Sequence, residues 1–160
     1  TGSPQAGTGA SQPITVPGKP DLVVRIIAVG TIDPYTNMFM NRMPTSANEI
    51  VAVKFDIANI GTGPSGMWYF TAQLPTSPSM PYVSPAQQSL GRGSHIENTL
   101  RFNQVAPGGG NFTVTVDPSN TVGELSESNN FTSQWVGGGY GGYDYNQYQA
   151  PYQGNPYYQY

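Results

Sequence analysis

The sequence contains no cysteine, so disulfides and thiolate metal sites are excluded and one route to extracellular stability is closed, although export itself is not. Six Lys plus Arg, scattered singly in a chain of 160 residues with formal charge -3, form no basic stripe able to neutralise phosphates. Nucleic acid and anionic lipid are therefore not expected as partners. No apolar run approaches the roughly 18 residues needed to span a bilayer, so insertion of this chain into a membrane is not expected. Charged residues make up only 9%, and the Lys, Arg and Glu that usually coat helices are correspondingly scarce.

What is present points to strands. Twenty Gly and fifteen Pro disfavour helix interiors, and the composition divides the chain into a foldable middle and two biased ends. Residues 1–20, rich in Gly, Pro, Ser and Thr, read as an extended segment with one β-prone island, Ile14-Thr15-Val16. The opening Thr1-Gly2-Ser3-Pro4, without methionine, reads as a processed or trimmed start, and processing would imply export. Residues 137–160 hold eight of the eleven tyrosines and no aliphatic residue larger than Ala150, so this stretch cannot build a core.

Residues 21–136 carry strand periodicity. Leu22 to Val29 is a β-branched run, followed by a long connection over residues 30–48 that contains Pro34 and Pro44. Between Glu49 and Asn59 the alternation sets Val51, Val53, Phe55 and Ile57 towards a core and Ala52, Lys54, Asp56 and Ala58 away from it. Met67 to Leu74 repeats the pattern with Trp68, Phe70, Ala72 and Leu74 inward; burying Trp68 is worth roughly 4 to 6 kcal/mol before entropy is counted. Pro75 to Gly93, with four prolines, predicts a loop or weak edge strand. Ile96 to Val105, Asn111 to Val116 (with Phe112 and Val114 inward) and Phe131 to Val136 complete six or seven short strands. The expectation is an all-β, Ig-like antiparallel sandwich of about seven strands.

Several motifs invite chemistry. Gly61-Thr62-Gly63-Pro64-Ser65-Gly66 matches G-x-G-x-x-G, but a strand follows it, leaving no helix N-terminus for a pyrophosphate; a turn is the expected reading. His95, the single histidine, adjoins Ser94, yet neighbours in an extended segment point to opposite faces, and no nucleophile elbow is present. No catalytic residues and no enzymatic activity are expected. Asp117, Glu124 and Glu127, with Asn129 and Asn130, could gather oxygen ligands for Ca2+; alternatively they accept backbone N–H bonds at a tight corner between the last two strands. No other cofactor is expected. Asn111-Phe112-Thr113 and Asn130-Phe131-Thr132 are N-glycosylation sequons.

Four stretches suggest a family: Lys19-Pro20-Asp21-Leu22-Val23-Val24, Phe55-Asp56-Ile57-Ala58-Asn59-Ile60-Gly61, Val105-Ala106-Pro107-Gly108, and Val116-Asp117 followed by Val122, Glu124, Glu127, Ser128, Asn129 and Asn130. In this order they resemble a CARDB domain, the cell-adhesion-related domain of bacteria and archaea, over residues 19–136. The resemblance implies an extracellular Ig-like sandwich of surface and secreted proteins, without catalytic residues.

From these readings we expect a structural subunit of an extracellular filament or cell-surface assembly that associates with copies of itself. Ile14, Thr15 and Val16 would add as a strand to a neighbour, and Tyr140, Tyr143, Tyr145, Tyr148, Tyr152, Tyr157, Tyr158 and Tyr160 would run over adjacent subunits. The alternative is a monomeric adhesin-type module that binds carbohydrate or another surface partner through aromatic residues, including Tyr35 and Phe39.

Overall fold

Alternation between apolar and polar residues, punctuated by Gly, Pro and Asn, produces strands throughout the part of the chain described by the computed structural model, residues 17–137. Ile14, Thr15, Val16 and the eight tyrosines from Tyr140 onward lie outside those residues. The elements are β1 (Leu22–Ile32), β2 (Phe39–Met40), β3 (Ile50–Asn59), β4 (Phe70–Leu74), β5 (Met80–Val83), β6 (His95–Phe102), β7 (Gly110–Val116) and β8 (Phe131–Val136). They form two four-stranded antiparallel sheets, ordered β2-β1-β3-β6 and β5-β4-β7-β8, packed face to face as an Ig-like sandwich.

The core lies between the sheets and contains the side chains expected there: Val53, Phe55, Ile57, Phe112 and Val114 are inaccessible, and Trp68 and Phe70 are each 2% exposed. Phe55 meets Phe70 edge-on at 5.4 Å and Phe112 at 6.1 Å, so one ring from β3 bridges β4 and β7 across the sheets. The Trp68 indole nitrogen donates to Gln88 O at 3.0 Å, which lets the ring be buried without an orphaned donor.

Four local expectations change. The connection after residue 30 is shorter than expected, because β1 continues to Ile32 and β2 folds back on it, pairing Thr31 with Met40 and Ile32 with Phe39. Asp33 drives this reversal: its Oδ1 accepts Tyr35 N at 2.9 Å and Thr36 N at 2.8 Å, and Pro34 presets the first corner. The second face of β3 is buried too, for Ala52, Asp56 and Ala58 are almost inaccessible. β3 is flanked on both sides, and long side chains roof it: Phe39 reaches over Gly30, where a Cβ would stand 2.6 Å from the ring, and Lys54 Nζ sits 4.5 Å from the centre of the same ring.

The Trp68 strand begins in the ladder only at Phe70, Trp68 itself making a lone bridge to Gln87. The proline-rich stretch contributes an edge strand, β5, with Pro81 in it, in keeping with the sequence reading; an edge strand tolerates a residue that has no N–H. Similarly, β6 stops at Phe102, and Val105 reaches the core through a lone bridge to Thr76.

Trp68→Ala should lower the free energy of unfolding by about 3 to 5 kcal/mol in urea denaturation, through the cavity and the stranded Gln88 carbonyl. Met67→Ala, at an exposed neighbour, should stay within about 0.5 kcal/mol of the parent.

Candidate functional site

The acid- and amide-rich segment 117–130 joins β7 to β8 at the end of the sandwich where β1 begins. Asp117 leaves β7 with φ of 41°, and its inaccessible carboxylate folds the chain back: Oδ1 accepts Thr121 Oγ1 and Oδ2 accepts Val122 N, both at 2.7 Å. That bond pins Val122 into the core. Glu127 accepts Glu124 N at 3.2 Å and Asn130 Nδ2 at 3.1 Å, while Asn129 Nδ2 donates to Asp21 Oδ1 at 2.8 Å.

Glu124 reaches across 102 positions of sequence. It is 7% exposed; Oε2 accepts the Leu22 backbone N–H and Oε1 accepts Asn130 Nδ2 at 3.1 Å. Leu125 N donates to Pro20 O at 2.9 Å beside it. The corner therefore clamps residues 20–22, the root of β1.

On the other side of this root stands Asn59, inaccessible and fully hydrogen-bonded. Its Oδ1 accepts Asp21 N at 3.1 Å and Gly61 N at 3.0 Å, and its Nδ2 donates to Gly63 O at 2.8 Å and Leu90 O at 2.9 Å. The 61–66 motif is thus a turn against the N-terminal root, as its context predicts. A Cβ on Gly63 would fall 2.0 Å from Gly18 O, so close backbone approach explains the glycine.

Of the groups proposed as calcium ligands, the carboxylates Asp117, Glu124 and Glu127 accept hydrogen bonds in the corner, and the Asn129 and Asn130 amide nitrogens donate to Asp21 and to Glu124 and Glu127, while Oδ1 of each amide is buried without a hydrogen-bond partner. Of the two sequons, Asn111 is exposed. Asn130 is 4% exposed, and the nitrogen that would carry a glycan donates to Glu124 and Glu127. In the folded chain Asn130 is therefore not presented at the surface.

Sequence reasoning missed a second polar cluster. Asp56, 1% exposed, accepts or shares a hydrogen bond with His95 Nδ1 at 2.8 Å and pairs with Arg25 Nε at 3.3 Å across β1, β3 and β6. The signal lay in the register, which brings outward residues of the three strands side by side. Among the described residues His95 makes no hydrogen bond to a serine or threonine hydroxyl.

Burial moves the Glu124 carboxyl from its ordinary 4.5 up to about 7, opposed by the Leu22 N–H and reinforced by the nearby charge of Glu127. The folded chain thus holds a proton that the unfolded chain releases, so the associated stability is present below pH 4.5 and is lost as the pH rises towards 7. Glu49 behaves oppositely: its bonds from Arg42, Thr45 and Ser46 hold it at about 2, and its contribution is lost only as the pH falls from 4.5 towards that value. Thermal midpoints should therefore decline from about pH 5 to about pH 8, by up to about 3 kcal/mol in stability. Glu124→Gln should flatten that decline; an undiminished slope in the variant would assign it to another group.

The arrangement has counterparts. A family model, CARDB, matches residues 19–134. The crystal structure of the CARDB domain of the PF1109 protein from Pyrococcus furiosus, in complex with di-metal ions, is 21% identical, covers 74% of this chain and 88% of that one, and superposes with a TM-score of 0.54. The solution structure of the same domain is 20% identical over 74% of this chain and 94% of that one, with a TM-score of 0.51. These likenesses show the fold. The metal ions are that domain's; among the described residues here, no group of three or more His, Asp or Glu side chains is placed to hold one. No curated protein matches the sequence. With the motifs of residues 19–24, 55–61, 105–108 and 116–130 joined in one sandwich, and a family match across most of its length, the chain belongs to the CARDB family.

Proposed function

We propose that this chain is a non-enzymatic structural subunit of an extracellular filament or cell-surface assembly, and that residues 1–16, with Ile14-Thr15-Val16, add as a strand to a sheet edge of a neighbouring copy. Membership of a cell-adhesion-related family supports placement at the cell surface. Selection among the sheet edges carries the assembly reading.

Edge strands attract unwanted pairing, and proteins block them with charge, proline or brevity. β2 has two residues, β5 contains Pro81, and β6 carries His95, Glu97 and Arg101. β8, Phe-Thr-Ser-Gln-Trp-Val, has none of these guards, and among the described residues it pairs with β7 alone. An unguarded six-residue edge is a template for an incoming strand.

The positions of the two roots support a chain of copies. Residues 20–22 lie with the start of β8 at one end of the sandwich, while Val136 lies at the far end of that strand. Donor and acceptor surfaces of this kind differ, so each copy can give to one neighbour and receive from another. The tyrosines beyond residue 137 would then contact adjacent copies, with large amphipathic rings that lose few torsions on ordering.

The test is removal of residues 1–16 followed by electron microscopy and analytical ultracentrifugation. The expected result is a folded monomer that no longer forms filaments. Replacing Ser133 in β8 by proline should block the same assembly at the acceptor side. Filaments that persist in both variants would refute strand addition.

A further inference from the structure

We infer that the outer face of the β5-β4-β7-β8 sheet is a platform for a neutral polysaccharide, with Phe131 and Trp135 stacking on sugar rings. This goes beyond the assembly reading, since it concerns the face of β8 and not its edge.

Register places the side chains. Phe131 pairs with Thr115, Ser133 with Thr113 and Trp135 with Asn111, while Thr115 and Thr113 pair with Thr71 and Gln73 on β4. Because Phe112, Val114 and Val116 point into the core, these partners all point outward. Phe131 is 60% and Trp135 43% exposed, and among the described residues neither ring packs against another aromatic. Two large rings are thus held on a rigid strand, four residues or about 13 Å apart, bordering a field of hydroxyls and amides.

The chemistry of that field selects the ligand. The outward side chains of β4, β7 and β8 include no ionisable group, whereas the opposite sheet presents Arg25, Lys54, Glu97 and Arg101. A nucleic acid or an anionic polymer would find no cation here. A purely apolar partner would strip water from the Thr and Gln groups without replacing it. A neutral sugar satisfies both kinds of surface: its C–H faces meet the negative faces of the rings, and its hydroxyls both donate to and accept from hydroxyl and amide side chains. Thr113 Oγ1 and Ser133 Oγ, 3.0 Å apart, form a ready pair for such exchange between the two rings.

Full-length chain should be run in native gels containing hydroxyethyl cellulose, mannan or dextran, with dextran sulfate as the anionic control. Retardation by at least one neutral polymer is expected, with the apparent Kd raised about tenfold or more by Trp135→Ala and by Phe131→Ala. Ile27→Ala, at an exposed position of β1 on the opposite sheet, should leave it unchanged. Circular dichroism would establish that the variants remain folded. Acrylamide should quench Trp135 in the free chain, with Trp68 buried and silent, and the bound polymer should protect it. The inference is overturned if all three neutral polymers fail to retard the chain, if retardation survives both substitutions, or if only dextran sulfate acts. It is equally overturned if Trp135 is already shielded in the free full-length chain, which would assign the face to the chain's own Tyr-rich segment.

Discussion

One buried carboxylate fixes where the sandwich begins. Removing a charge from water is costly, and Glu124 tolerates burial because its oxygens receive the Leu22 N–H and the Asn130 amide. The arrangement joins residues 102 positions apart, so it forms only when the last strands have come round to the first. Leu22 pairs with Asn59, and from that pair the β1–β3 ladder runs to Ile32 with Ile50. Asn59 in turn holds the 61–63 turn and Leu90. The root of β1, the register of the central ladder and the approach to Trp68 are therefore specified together by two buried polar side chains.

The sheets differ in how they treat water. The β2-β1-β3-β6 sheet carries charge on its outer side, and the Arg25–Asp56–His95 cluster draws a carboxylate almost wholly out of solvent. Its partner sheet carries hydroxyls, amides, two rings and, on β5, Pro81 and Val83, with no charge among them. Guarding follows the same division, since β6 is charged and β8 is not. A strand with neither charge nor proline on its free side is costly to leave bare, which makes β8 the part of the molecule where contact with something else is most favoured by the physics of the edge and the face alike.

Much of this was legible in the sequence. The alternation in residues 51–57 located the inward face of β3, and the large apolar residues of β4 and β7 named their core partners, because a period of two is written directly in residue order. The acid- and amide-rich corner was legible as a corner. Its long-range role was not: nothing near Glu124 in sequence indicates that its partner is Leu22. The reversal at Asp33-Pro34 was missed because the two-residue strand after it is too short to show periodicity, although an Asp before a Pro is itself a turn signal. The buried second face of β3 was missed for another reason. Lys54 and Asp56 read as solvent residues, and only the neighbouring strands reveal that Phe39, Arg25 and His95 roof them. Asn130 fits a three-residue sequon equally well whether its amide faces solvent or two carboxylates.

The opposite placement of the two roots gives the sandwich a mechanical character. Tension between residue 20 and residue 137 would run along β1 and β8, parallel to the strands. The ten paired positions between β1 and β3 would then be loaded in shear, sharing the force, where a perpendicular pull would unzip them one at a time. Because β1 and β8 belong to different sheets, the same load crosses the apolar interface at Phe55, Phe70 and Phe112. The Glu124–Leu22 bond sits where that force enters, so the proton on one carboxylate sets how firmly the first link is held.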